Sequence, residues 1–140
     1  MAEAILRHLK TDRFEALSAG SHPAGFIHPL AIEAMHRLDI PMVDHRSKSW
    51  DEFAATDLDV VITVCDAARA ETCPVWPGNP IVAHWSLPDP AGYPGTEEER
   101  IELGLRIAER LRTKIEGLID LDWSMDRVKL ADRLTFLGEI

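Results

Sequence analysis

The chain has only two cysteines and one tyrosine among 140 residues, and aromatic residues make up 6% of it. No apolar run approaches the roughly 18 residues that cross a bilayer. Two cysteines do not make a disulfide scaffold, and such a pair in a domain of this size is catalytic, redox-active or inert. Positive charge is scarce too, with 15 Lys and Arg against 24 Asp and Glu for a net charge of -9. Non-specific nucleic-acid binding depends on basic side chains that neutralise phosphates, so that class is excluded. An anionic ligand would need a local electropositive pocket working against the overall field. The opening MAEAILRHLK alternates charged and apolar residues. That fits neither a secretory signal nor a transit peptide, and the expectation is cytoplasmic. What remains, 46% hydrophobic and 28% charged residues, suits one domain with its own buried core.

Helices alternate with short strands along the chain, which predicts the α/β class. Met1 to Lys10 has helical spacing through Ile5 with Leu9 and Ala2 with Leu6. Phe14 to Ser18 reads as a short strand ending in the Ala19-Gly20 turn. His28 to Leu38 reads as a helix with Pro29 at its first position. Ser49 reads as the N-cap of a short helical turn, with Glu52 three residues on. Asp59 to Val64 is a β-branched run of the kind expected when a parallel sheet covers a strand on both faces. Ile81 to His84 is a second short strand, and Leu87 to Gly95 is a Pro- and Gly-rich loop. Thr96 opens a long helix with Glu97, Glu98 and Glu99 in its first turn. Ile101, Leu105, Ala108, Leu111, Ile115 and Leu118 form its apolar stripe, and the helix runs to about Ile119. A last helix from Ser124 carries Val128, Ala131, Leu134 and Leu137. There is no repeat, low-complexity tract or linker.

The segment CDAARAETCPVWPG, from Cys65 to Gly78, holds both cysteines directly after the strongest strand. Open α/β sheets bind ligands at the C-terminal ends of their strands, which is where Cys65 falls. One reading is a dithiol that cycles through a disulfide, which requires Cα atoms within roughly 4.4–6.8 Å. A helical spacer of eight residues would span about 12 Å, so that reading needs the small residues between the cysteines to unwind. The other reading is two unpaired cysteines, one a small core hydrophobe. A zinc site with His84 and His22 is a third, though the spacing matches none of the usual short ligand pairs. Asp89, before Pro90 in a loop after a strand, is either a general acid or an ordinary turn aspartate. His45, Arg46 and Lys48 crowd basic groups on one segment, suited to an oxyanion or simply solvated. His22-Pro23 and His28-Pro29 are explained by loop geometry, and Trp76-Pro77-Gly78 by a rigid turn.

These features coincide in one pattern. The matching residues are Met1-Ala2-Glu3-Ala4, Ser18-Ala19-Gly20 and His45-Arg46-Ser47-Lys48, then Val64-Cys65-Asp66 and Glu71-Thr72-Cys73-Pro74-Val75-Trp76-Pro77-Gly78, and finally Ala83-His84-Trp85 with Pro88-Asp89-Pro90. In this order the chain resembles the arsenate reductases built on the low-molecular-weight protein tyrosine phosphatase fold. The double-cysteine segment is the specific part, because simple phosphatases of this fold lack it. The resemblance implies a three-layer α/β sandwich with a parallel sheet over residues 1–121, followed by a helical extension over 122–140. It implies that a thiolate on a Cys-x5-Arg loop attacks the oxyanion, with Asp89 protonating the departing oxygen. Cys65 then attacks the arsenic-bearing thiol, and Cys73 leaves a Cys65–Cys73 disulfide for a thioredoxin- or glutaredoxin-type reductant. The implied ligand is arsenate or a phosphate-like oxyanion, with no cofactor, metal, nucleic acid or membrane.

One departure matters. No cysteine precedes Cys65 and no Cys-x5-Arg occurs in these residues. The expectation is a chain shortened at its N-terminus that lacks the central first strand and the nucleophile loop. The strands at Phe14–Ser18 and Val60–Val64 would then face each other across about 9.6 Å, twice the strand spacing. Such a gap predicts an oligomer with altered packing near the N-terminus. The alternative activities are a phosphatase of the same fold and a non-catalytic redox or assembly module.

Overall fold

Caps decide where the helices begin. A computed structural model of the chain describes residues 1–9, 12–64 and 76–140, so Cys65 and Cys73 lie outside the described residues. Helix α1 spans Ala2–His8 and buries Ala4 and Ile5. Helix α2 spans Pro29–Arg37, with His28 just outside it as the N-cap. His28 Nδ1 accepts from the Leu30 N–H at 3.1 Å, which leaves Pro29 at the first helical position. Ser49 caps a short 3-10 turn at Trp50–Phe53 by accepting from the Asp51 N–H. Helix α3, Glu97–Ile119, begins where the Thr96 hydroxyl accepts from the Glu99 N–H at 3.2 Å. Thr96→Ala should therefore cost about 1 kcal/mol in urea unfolding, and Thr96→Ser should restore it.

Helix α4 covers Arg127–Glu139, later than the expected start at Ser124. Ser124 is taken up in a turn, giving both its N–H and its hydroxyl to Asp122 Oδ1. Those two bonds hold the Asp122 carboxyl below the usual carboxylate range. Asp126 caps α4 instead, accepting from the Lys129 N–H at 3.0 Å. The buried stripe of α4 is Leu130, Leu134 and Leu137, while Val128 points to solvent.

Strands β1, Val60–Thr63, and β2, Ile81–His84, pair in parallel with Val60 opposite Ile81 and Thr63 opposite His84. The ladder continues past β2, because the Trp85 N–H reaches the Thr63 carbonyl at 2.8 Å and the Leu87 N–H the Val64 carbonyl at 3.0 Å. β1 is only partly buried, so the full cover expected from its β-branched run is not seen among the described residues.

The strand expected at Phe14–Ser18 does not form. A strand needs a neighbour for its backbone groups, and this segment pairs with no described strand. It is held by side chains: Arg7 donates to the Ala16 carbonyl at 3.3 Å, and Phe14 packs edge-on against Trp123 at 5.4 Å. Sheet-like pairing first appears at Gly20, which bridges in parallel to Ser49.

The core gathers around α3. Gly104 lets α2 approach, since a Cβ there would lie 3.0 Å from Leu30 Cδ2. α1 and α4 pack on the same helix, and α4 also lies on β2. No helix among the described residues is long and apolar enough to cross a membrane.

Candidate functional site

Two regions carry the chemistry-bearing side chains. The first is the C-terminal edge of the sheet. Here Thr63 Oγ1 and His84 Nδ1 share a hydrogen bond of 2.6 Å across the two strands. Two residues beyond the buried Leu87 comes Asp89, which is exposed. Its Oδ1 accepts from the Ala91 N–H at 3.0 Å and so caps a 3-10 turn at Pro90–Gly92. The far end of that loop is fixed by Arg100 of α3, whose Nε donates to the Tyr93 carbonyl at 2.7 Å. Asp89 is thus a carboxylate on a short, doubly tethered loop. Cys65 follows Val64, the residue that receives the Leu87 hydrogen bond.

The second region is a cleft of about 270 Å³ beside α1, lined among others by Ser18, Gly20, Phe26, Arg46, Ser47 and Lys48. Its basic groups are already engaged. Arg46 Nη1 lies 3.0 Å from both carboxylate oxygens of Glu52. Ser47 accepts from the Gly25 N–H at 3.1 Å. Lys48 is not a solvated loop residue, because its side chain is 8% exposed and its Nζ stands 3.6 Å from Glu3 Oε2. Glu3, also buried, is bonded by the Ser18 hydroxyl and paired with Arg7 at 2.7 Å. One carboxylate on α1 thereby ties together α1, the Ser18 segment and the Lys48 segment. An oxyanion entering this cleft would compete with Glu52 for Arg46 and with Glu3 for Lys48.

The remaining histidines divide. His22 is exposed, with Nδ1 3.3 Å from the Ser21 hydroxyl. Both ring nitrogens of His45 are buried without a hydrogen-bond partner. Among the described residues no cluster of three or more His, Cys, Asp or Glu side chains could hold a metal. The Cys65–Cys73 pair lies outside the described residues, as does any zinc site built on it.

Sequence reasoning missed the Glu3–Lys48 pair and the Thr63–His84 bond, because each joins residues distant in the chain. It also missed Lys114, for which a signal existed. Lys114 sits three residues after Leu111 and four before Leu118, inside the apolar stripe.

Residues 1–121 match the family model for low molecular weight phosphotyrosine protein phosphatase. The arsenate reductase of Staphylococcus xylosus is 35% identical over 108 residues, 77% of this chain and 81% of that protein. Arsenate reductase 2 of Staphylococcus saprophyticus is 37% identical over 111 residues, 78% of this chain and 83% of that protein. The arsenate reductase of Shouchella clausii is 33% identical over 116 residues, 83% of this chain and 82% of that protein. Among solved structures, one described as an arsenate reductase in reduced state superposes with a TM-score of 0.62 at 25% identity, covering 84% of each chain. With the small parallel sheet and its flanking helices, these likenesses settle the lineage: the chain belongs to the low molecular weight phosphotyrosine protein phosphatase family.

Proposed function

We propose that this protein is an arsenate reductase within that family, with Cys65 and Cys73 as its relay thiols and Asp89 as its proton donor. The observation that carries this reading is identity of about a third, over most of both chains, to proteins named arsenate reductases. The sequence supports it with a cysteine pair, one directly after the β-branched run that ends at Val64 and the other eight positions on.

In the proposed reaction a first thiolate, on a Cys-x5-Arg loop that these 140 residues do not contain, displaces an oxygen of arsenate. Asp89 gives its proton to that oxygen, which leaves as water. The Cys65 thiolate then attacks the sulfur bonded to arsenic. The S–As bond breaks, its electron pair stays on arsenic, and arsenite departs. The new disulfide is attacked at the Cys65 sulfur by the Cys73 thiolate, which releases the first thiolate and leaves Cys65 bonded to Cys73. A thioredoxin- or glutaredoxin-type dithiol takes up that oxidation and restores both thiols.

The test is arsenate reduction coupled to a thioredoxin system, comparing this chain with a version extended before Met1 by the strand and Cys-x5-Arg loop of an arsenate reductase relative. The extended version should turn over arsenate, and Cys65→Ser and Cys73→Ser should each abolish turnover. Mass spectrometry of the oxidised protein should find the 65–73 linkage. Hydrolysis of phosphate esters that is indifferent to both substitutions would instead make it a phosphatase. A reversible 65–73 linkage without arsenate turnover in either version would leave a redox module.

A further inference from the structure

Helix α4 lies beyond residue 121, where the family match ends, and the chemistry above gives it no part. Its contacts are specific. Lys114 of α3 is fully buried, and its Nζ donates to the carbonyls of Leu137, Gly138 and Ile140 at 2.9, 2.9 and 2.7 Å. An ammonium with three donors is thereby satisfied by carbonyls that the end of a helix leaves unpaired. The same last turn rests on the end of β2. A Cβ on Gly138 would lie 2.7 Å from the His84 carbonyl oxygen and 2.8 Å from Trp85 Cδ1, so only glycine permits this approach. One turn earlier, the Leu134 carbonyl accepts from the Trp85 indole N–H at 2.9 Å.

Trp85 opens the segment that leads to Asp89. Arg100, on the same helix as Lys114, closes it by holding the Tyr93 carbonyl. We propose that α4 is a positioning element for the Asp89 loop, acting through Trp85, while α3 fixes the loop's far end. Asp89 sits between two tethers that belong to one pair of helices, and Lys114 locks that pair together. The functional meaning rests on Asp89 being the proton donor. The mechanical coupling stands without it.

Amide hydrogen exchange followed by NMR on the 140-residue chain tests the coupling. Trp85→Phe keeps an aromatic ring and removes the indole donor, and Lys114→Met removes the lock. Each should speed exchange of the Ala91 amide, which Asp89 holds, by about tenfold or more while the β1–β2 ladder amides keep their rates. Arg112→Ala, which breaks an exposed pair with Glu116, should change neither. Should Lys114→Met fail to fold, Trp85→Phe decides alone. Unchanged Ala91 exchange overturns the proposal. Faster exchange shared equally by the ladder overturns it as well, because α4 would then only stabilise the domain. In the arsenate assay, the same variants should lower kcat and leave KM in place. A flat exchange result defeats the positioning role whatever the assay shows, and absent turnover with the expected exchange result defeats only the reductase reading.

Discussion

Glu3→Leu should lower the free energy of unfolding by about 3–5 kcal/mol, the penalty for breaking a buried ion pair from one side. The carboxylate lies beneath the first turn of α1 with its side chain 5% exposed, flanked by Lys48, Arg7 and the Ser18 hydroxyl. Arg7 is 45% exposed and can turn to water when its partner is lost. Lys48 cannot, and among the described residues its ammonium would keep only the Arg46 carbonyl at 3.3 Å. For a domain stabilised by about 5–15 kcal/mol, the effect is a large share of the whole. Glu3→Leu combined with Lys48→Met should recover most of the loss, since the stranded charge is removed with its partner. Urea midpoints of the wild type, both single variants and the double variant measure this. A single-variant loss below about 1 kcal/mol would mean that the pair contributes no more than a surface one.

Trp85→Ala should be comparably damaging, at about 3–5 kcal/mol. The indole is 2% exposed, enclosed by the last turns of α4, and it fills the corner where the strand ladder becomes the Asp89 loop. Alanine would leave a cavity there and free the Leu134 carbonyl of its outside donor. Trp85→Phe should cost less, because most of the ring volume remains and the lost hydrogen bond accounts for about 1 kcal/mol. Thermal unfolding of the two variants side by side separates packing from hydrogen bonding. Equal losses would assign the whole effect to the bond.

Local signals were readable wherever the chain answers to its own neighbours. Ser49 and Thr96 cap the elements they were expected to cap, because a hydroxyl needs only the backbone two or three residues on. Ile81–His84 forms a strand with the predicted limits, and α3 ends at Ile119 as its stripe required. Phe14–Ser18 failed because strand formation depends on a partner elsewhere, and no local composition supplies one. The last helix starts at Arg127, not at the expected Ser124, because Asp122 engages the Ser124 N–H and hydroxyl in a turn and Asp126 supplies the cap.

At the site, the position of Asp89 on a turn after β2 was legible from Asp-Pro after a strand. Its tethering was not, because Arg100 and Trp85 act from elements defined only by the fold. Lys48 read as solvated because nothing adjacent reveals a carboxylate 45 positions earlier. Buried charges are legible only together with the partners that make burial tolerable.

The corner after Trp76 has a mechanical consequence for the strand that follows it. Gly78 and Asn79 both adopt left-handed backbone angles, with φ of 78° and 49°. Pro80 is buried directly before β2. Glycine adopts such an angle freely and asparagine tolerates it better than most residues, so the chain can turn sharply here before it enters β2. The register of Ile81–His84 against Val60–Thr63 then fixes where this turn must deliver the chain, since β2 cannot slide along β1 without breaking the ladder.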